Sequence, residues 1–147
     1  MKTIFLTIIT LLLTSTAHTQ NKAEIVRQIT QTAQVAGIDP DVAVAIAMVE
    51  SSLNPKAIGG LGEIGLFQLR PEYHVVVLGD TKQNITAGVG YLLFIKTNYK
   101  NKYGNAWFVL FNTGPYRPPK DPKATKYYQK VMREVGQLKF KRFIAAR

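Results

Sequence analysis

Residues 39–50 read Asp39-Pro40-Asp41-Val42-Ala43-Val44-Ala45-Ile46-Ala47-Met48-Val49-Glu50. Asp39 before Pro40 pairs an N-cap with a first helical residue. The carboxylate accepts from a free amide of the first turn, and proline lacks only a donor that a helix start leaves unused. Eight apolar residues, Val42 to Val49, then follow without a polar face. A helix that is apolar on every side has to be enclosed on every side, so this segment predicts the buried central helix of an α-rich domain. Directly after it stand Glu50 and then the stretch 54–65, whose four glycines and one proline read as loop.

The segments on either side repeat the helical period. Upstream, Ile25, Ile29, Ala33 and Ala36 recur at three- and four-residue spacing, and Gly37 supplies a stop. Downstream, a helix from Asn84 to about Lys100 places Ile85, Val89, Leu92 and Leu93 on one side. A short apolar helix, Ala106 to Phe111, is ended by Asn112-Thr113-Gly114-Pro115, and a proline-rich loop runs from Pro115 to Pro122. The last long helix carries Ala124, Tyr127, Tyr128, Val131, Val135 and Leu138, followed by a basic, partly aromatic tail, residues 139–147. Tyr73 to Leu78 is the only candidate strand. The expected class is mostly α, and a chain of 147 residues is served by one core.

Composition removes whole classes of chemistry. With no cysteine, disulfide scaffolds, thiol catalysis and thiolate metal sites are excluded, and His18 and His74 are the only imidazoles. No metal and no cofactor is expected. The formal charge of +10 calls for an acidic partner, and nucleic acid, an anionic membrane and an acidic polysaccharide all qualify. The first residues narrow this choice. Lys2, the apolar run Ile4 to Leu13 and the small residues of Ser15-Thr16-Ala17 form a secretory signal, residues 1–17, with cleavage after Ala17. The run is well short of the ~20 residues of a spanning helix. Export to the periplasm or cell-wall space counts against nucleic acid as partner, and the lysines among aromatics from Tyr91 to Tyr103 then read as a solvated helix face. A monomer without a stable membrane anchor is expected.

Glu50 is the residue that asks for chemistry. Burial penalises the charged form of a carboxylate and raises its pKa, and a glutamic acid still protonated near neutrality is what general-acid catalysis needs. A glycine-rich loop beside it lets a bulky substrate approach the backbone. The plainer alternative is that Glu50 only marks where the helix surfaces, or caps Ser51-Ser52. Taken alone, the residue leaves both open.

Its neighbours narrow the field. Glu50-Ser51-Ser52-Leu53-Asn54-Pro55-Lys56-Ala57, followed by Gly62-Glu63-Ile64-Gly65-Leu66-Phe67-Gln68 and Pro71, resembles the signature of soluble lytic transglycosylases, lysozyme-like enzymes related to goose-type lysozymes. That pattern is E-S-x-x-N-P-x-A, a short loop, then G-A-x-G-L-M-Q and a proline. Asn84-Ile85-Thr86-Ala87-Gly88-Val89-Gly90-Tyr91-Leu92 resembles the family's N-I-x-x-G-x-x-Y-L helix, Phe111-Asn112-Thr113-Gly114-Pro115 its A-Y-N-A-G-P segment, and Ala124 to Val131 its E-T-R-x-Y-V-x-x-V block. The four blocks stand in the family's order, and the resemblance covers about Ile25 to Val135, essentially the whole of the expected mature domain, residues 18–138.

The resemblance implies a lysozyme-like α fold with a groove for the glycan strand of peptidoglycan, cut at the β-1,4 bond between N-acetylmuramic acid and N-acetylglucosamine. Glu50 would act as acid and then as base, leaving a 1,6-anhydro ring and consuming no water. No second carboxylate is needed, since the substrate's own acetamido group can assist departure. Ser51, Gln68, Asn112 and Tyr128 match family positions that bind substrate, although Ser51 also reads as a helix-end residue, Asn112 as a polar stop and Tyr128 as a core aromatic. Tyr91 is expected to be mainly core.

Three positions depart from the pattern. Phe111 stands for Tyr, Ala124 for Glu, and Glu63 for Ala. Glu63 is either a solvated side chain or one that orients a water, which would turn the chemistry toward hydrolysis. A muramidase and a catalytically silent glycan-binding module are therefore the alternatives. A compact exported domain suits local wall opening, for a secretion, pilus, conjugation or phage apparatus, and the sequence names none of them.

Overall fold

The structure is a computed structural model that describes residues 22–147; the secretory signal expected at 1–17 lies outside them. Five α-helices and two short 3-10 segments follow one another among the described residues: α1 (22–35), α2 (Pro40–Ser51), α3 (Thr81–Tyr103), a 3-10 turn (Gly104–Val109), α4 (Leu110–Thr113), a second 3-10 turn (Pro122–Ala124) and α5 (Lys126–Ala145). Among the described residues the only β pairing is a pair of isolated bridges, Ile58 with Ile64 and Ile64 with Leu69. The mostly-α class expected from the sequence is what the described residues adopt.

α2 is the central helix. Asp39 accepts from the amide of Asp41 at 2.9 Å with Pro40 in the first turn, as the sequence requires. Ala43 to Ala47 are buried, whereas Val42, Met48 and Val49 are only partly covered, so the enclosure is complete over the middle of the apolar run. Around α2 the core gathers Ile25, Ile29 and Ala33 of α1, Phe67 of the loop, Ile85 and Leu92 of α3, Phe108, and Val131 of α5.

Several boundaries differ from the expected ones, each for a local reason. α3 begins at Thr81, capped by Asp80, whose carboxylate accepts from Gln83 at 2.9 Å. Its first turn is polar, so apolar period could not reveal it. Leu93, expected on the buried side, is exposed, and Ile95 takes the inner position. The apolar stretch from 106 to 111 is split between a 3-10 turn and α4, and Asn112 and Thr113 complete α4 rather than end it. Residues 73–78 form no strand. Tyr73, Val75 and Val77 are exposed and only Val76 is buried, so the alternation is present with no neighbouring strand to pair with. Finally, residues 139–145 are not a tail: α5 continues to Ala145. Arg142 forms a bidentate pair with Asp41 at the start of α2, both contacts 2.5 Å, which ties the end of α5 to the N-terminal turn of the central helix.

Candidate active site

The C-terminal end of α2 is built to stop abruptly. Ser52 and Leu53 adopt left-handed backbone (φ 54° and 62°) although neither is glycine, a conformation costing about 1 kcal/mol each. The amide of Ser52 donates to Met48 at 2.9 Å, and the side chain of Leu53 is buried, which offsets the strain. The chain therefore turns away straight after Glu50 and Ser51 and leaves Glu50 on the wall of a cleft.

The loop after α2 is held by α3. Asn84 is 2% exposed; its Oδ1 accepts from the amide of Phe67 at 2.9 Å and its Nδ2 donates to the carbonyl of Ile64 at 3.0 Å. Gly65 (φ +76°) is required here, because a Cβ would stand 2.4 Å from Asn84 Nδ2. Gly88 is required for a second reason: a Cβ there would meet the Phe67 ring at 2.3 Å. These contacts fix the segment 64–69 and with it Gln68, whose φ of 46° is again left-handed.

The cleft so formed has a volume of about 900 Å³ and is lined by Glu50, Glu63, Gln68, Arg70, Asn112 and an aromatic set made of Tyr73, Tyr91, Phe94, Phe111 and Tyr116. Glu50 is largely withdrawn from water, and its Oε1 accepts from the hydroxyl of Tyr127 at 2.7 Å. Burial pushes the Glu50 carboxyl above its ordinary value; the Tyr127 hydrogen bond opposes this, the charge of Glu63 adds to it, and Lys130 opposes it weakly. Burial, then the charge of Glu50, pushes the Tyr127 phenol well above its ordinary range, so Tyr127 stays a donor. His74 is half-buried, edge-on to Tyr91 at 5.1 Å, and burial lowers its pKa.

The residues expected at the site are not all brought together. Gln68 and Asn112 line the cleft with Glu50. Gln68 Nε2 donates to the carbonyl of Gly65 at 2.9 Å, which fixes its amide plane. Ser51 faces the other way. Its hydroxyl lies 2.9 Å from the carbonyl of Leu66 and 3.1 Å from that of Ala47 and accepts from the amide of Asn54 at 3.2 Å, so it joins α2 to the loop instead of meeting Glu50. Tyr128 is not among the side chains that line the cleft with Glu50; it stacks on Phe108, ring centroids 5.5 Å apart and 10° from parallel. The tyrosine at the carboxylate is Tyr127. It belongs to the same buried stripe as Val131 and Val135, and no sequence signal separates it from Tyr128, which fits the same apolar period.

Glu63 is half-buried in the cleft wall, with Oε2 accepting from the amide of Leu61 at 3.0 Å. Gly59 lies beneath it, since a Cβ there would stand 2.4 Å from Glu63 Oε2 and 2.7 Å from Gln68 Oε1. Phe111 packs on Tyr91 at 5.3 Å and Phe67 at 6.1 Å, so the aromatic body is kept where the family's hydroxyl is missing. Ala124 sits in an exposed 3-10 turn, and α5 is capped by Thr125, whose hydroxyl accepts from the amide of Tyr128 at 3.1 Å.

A carboxyl with its pKa raised by burial, on the wall of an aromatic cleft at the end of a buried helix, has a counterpart in a known family. The profile of the transglycosylase SLT domain matches residues 27–132. The chain belongs to that family. The SLT match takes in α2, the loop carrying Gln68, α3 and the first two turns of α5, so Glu50, Tyr127, Gln68, Asn84 and Asn112 all fall inside it. SLT domains are lysozyme-like lytic transglycosylase domains acting on peptidoglycan. The last turns of α5 lie beyond the SLT match.

Proposed function

We propose that this SLT domain is a peptidoglycan lytic transglycosylase that cleaves the β-1,4 bond between N-acetylmuramic acid and N-acetylglucosamine and forms 1,6-anhydro-N-acetylmuramic acid. The observation that carries the reading is Glu50, held on the cleft wall with its pKa raised by burial and one oxygen engaged by Tyr127. Oε2 is then the oxygen that carries the proton. Glu50 donates it to the glycosidic oxygen as the bond breaks, and the carboxylate so formed receives the proton of the muramoyl C6 hydroxyl as that oxygen closes on C1. The proton count balances without water, and one group serves both steps because its pKa lies nearer neutrality than that of a free carboxylate. Gln68 and Asn112 bind the sugar; Ser51 and Asn84 position the loop that presents Gln68. The enzyme works without a cofactor, outside the cytoplasm, after removal of residues 1–17, and as a monomer.

A second reading has support in Glu63, a second carboxylate in the same cleft. Were it to hold a water against C1, the product would carry a reducing end and one more water. Mass spectrometry of digested sacculi separates the two. Anhydro-muropeptides from the wild type and none from Glu50→Gln are the expected result. Hydrated products from the wild type that disappear in Glu63→Gln overturn it in favour of a muramidase, and sacculus binding without any release leaves only a glycan-binding module.

A further inference from the structure

The last two turns of α5 carry a feature that cleft chemistry does not use. Tyr127, Val131, Val135 and Leu138 form the inner stripe of this helix. Phe140, Phe143 and Ile144, at i, i+3 and i+4, fall on the opposite side and are 64%, 53% and 54% exposed. Earlier on the helix the same outward side carries Lys126, Gln129 and Arg133, all exposed, so the outer face changes from polar to apolar at residue 140. Lys139 and Lys141 flank the apolar stripe, and the Arg147 guanidinium lies over the Phe143 ring at 4.4 Å. The stripe is ordered in advance, because Leu138 packs on the core and Arg142 is clamped to Asp41.

We propose that this face, Phe140, Phe143 and Ile144 with Lys139, Lys141 and Arg147, docks the protein on the surface of an anionic phospholipid bilayer. Apolar side chains edged by cations match the layered chemistry of such a surface, with acyl chains beneath and anionic headgroups at the rim. A polar polyanion, glycan or nucleic acid, would satisfy the cations and leave two phenylalanines and an isoleucine in water. A second copy of the chain would bury the apolar stripe but set the same cations against one another. The contact is peripheral, since no helix among the described residues is long and apolar enough to cross a membrane. It would hold the cleft within reach of wall lying next to the bilayer, and it does not depend on the reaction proposed for Glu50.

The chain has no cysteine, so a single Ile144→Cys substitution in the full chain takes a polarity-sensitive fluorophore at that point alone, with Arg133→Cys as the control on the polar part of the same face. The expected result is a blue shift at position 144, and none at 133, on mixing with phosphatidylcholine vesicles that contain phosphatidylglycerol, and little with phosphatidylcholine alone. Adding Phe140→Ser and Phe143→Ser, or Lys139→Glu and Lys141→Glu, weakens partitioning about tenfold or more, with the circular-dichroism melting curve unchanged because these side chains are exposed. The proposal is overturned by no shift with anionic vesicles, by an equal shift at 133, or by partitioning that ignores either pair of substitutions. It is equally overturned by a shift that grows with protein concentration in the absence of lipid, which marks a dimer, or by one produced by sacculi and not by vesicles.

Discussion

At Glu50 two neighbours pull the carboxyl in opposite directions, and each can be removed. Tyr127 donates a hydrogen bond that favours the ionised form, while Glu63 adds a charge that disfavours it. Tyr127→Phe is therefore expected to raise the Glu50 pKa and move the alkaline limb of the activity profile to higher pH, with kcat lowered because the carboxyl loses its anchor. Glu63→Gln is expected to move the same limb to lower pH. Digestion of solubilised glycan strands across pH reads both, and two shifts of the same sign would refute the arrangement. The raised pKa also bears on stability. The folded state holds the Glu50 proton more tightly than the unfolded chain, so this group favours folding fully below its unfolded pKa, and the benefit is lost as pH rises through the folded value. Glu50→Gln, whose amide oxygen can still accept from Tyr127, is expected to melt at higher temperature than the wild type at pH 7. The gap should close in acid, and cleavage should fall by at least about 100-fold. Glu50 was legible in the sequence as the acid following an apolar run. Tyr127 was not, because adjacent tyrosines on one helix both fit an apolar stripe, and only the packing of α5 on α2 decides which hydroxyl reaches the carboxylate.

Among the elements, the loop between α2 and α3 is the one whose geometry the site depends on, and Asn84 is the side chain that holds it. Asn84→Ala leaves the amide of Phe67 unpaired in the interior and takes one of two donors from the carbonyl of Ile64, which keeps the amide of Leu69 at 3.1 Å, a loss expected to be about 2 kcal/mol. Chemical denaturation measures it directly. Restoration of stability by Asn84→Asp would show that the acceptor to Phe67 carries most of the effect. Gly88→Ala is expected to act on the same loop from the other side, by driving a Cβ into the Phe67 ring. The helices themselves were mostly readable: the Asp39-Pro40 cap, the α1 period and its Gly37 stop appear as the residues specify. Not readable were the polar start of α3, which has no apolar mark, and residues 73–78, where alternation without a partner strand leaves irregular chain.

For the whole molecule, the α2–α5 contact joins the site to the last helix. Arg142 and Asp41 close it at one end and Tyr127 and Glu50 at the other. Arg142→Ala is expected to leave the cleft and its activity intact while amide protection is lost over 139–145, which hydrogen exchange resolves by segment; protection unchanged there would show that Leu138 alone secures the helix end. The net charge of +10 has two expected partners at this scale, the anionic wall through general attraction and an anionic bilayer through the stripe at 140–144. By itself the sequence determined the mostly-α class, the buried identity of α2, the family blocks and the place of Glu50 at the end of the apolar run, because periodicity, capping and motif spacing are local and survive without knowledge of the fold. Only the tertiary structure decided that Tyr127 and not Tyr128 meets Glu50, that Ser51 braces the loop, that Glu63 stands in the cleft, and that the outer face of α5 turns apolar. Each of these depends on which side of an element faces its neighbour, and that is set by packing between segments up to a hundred residues apart.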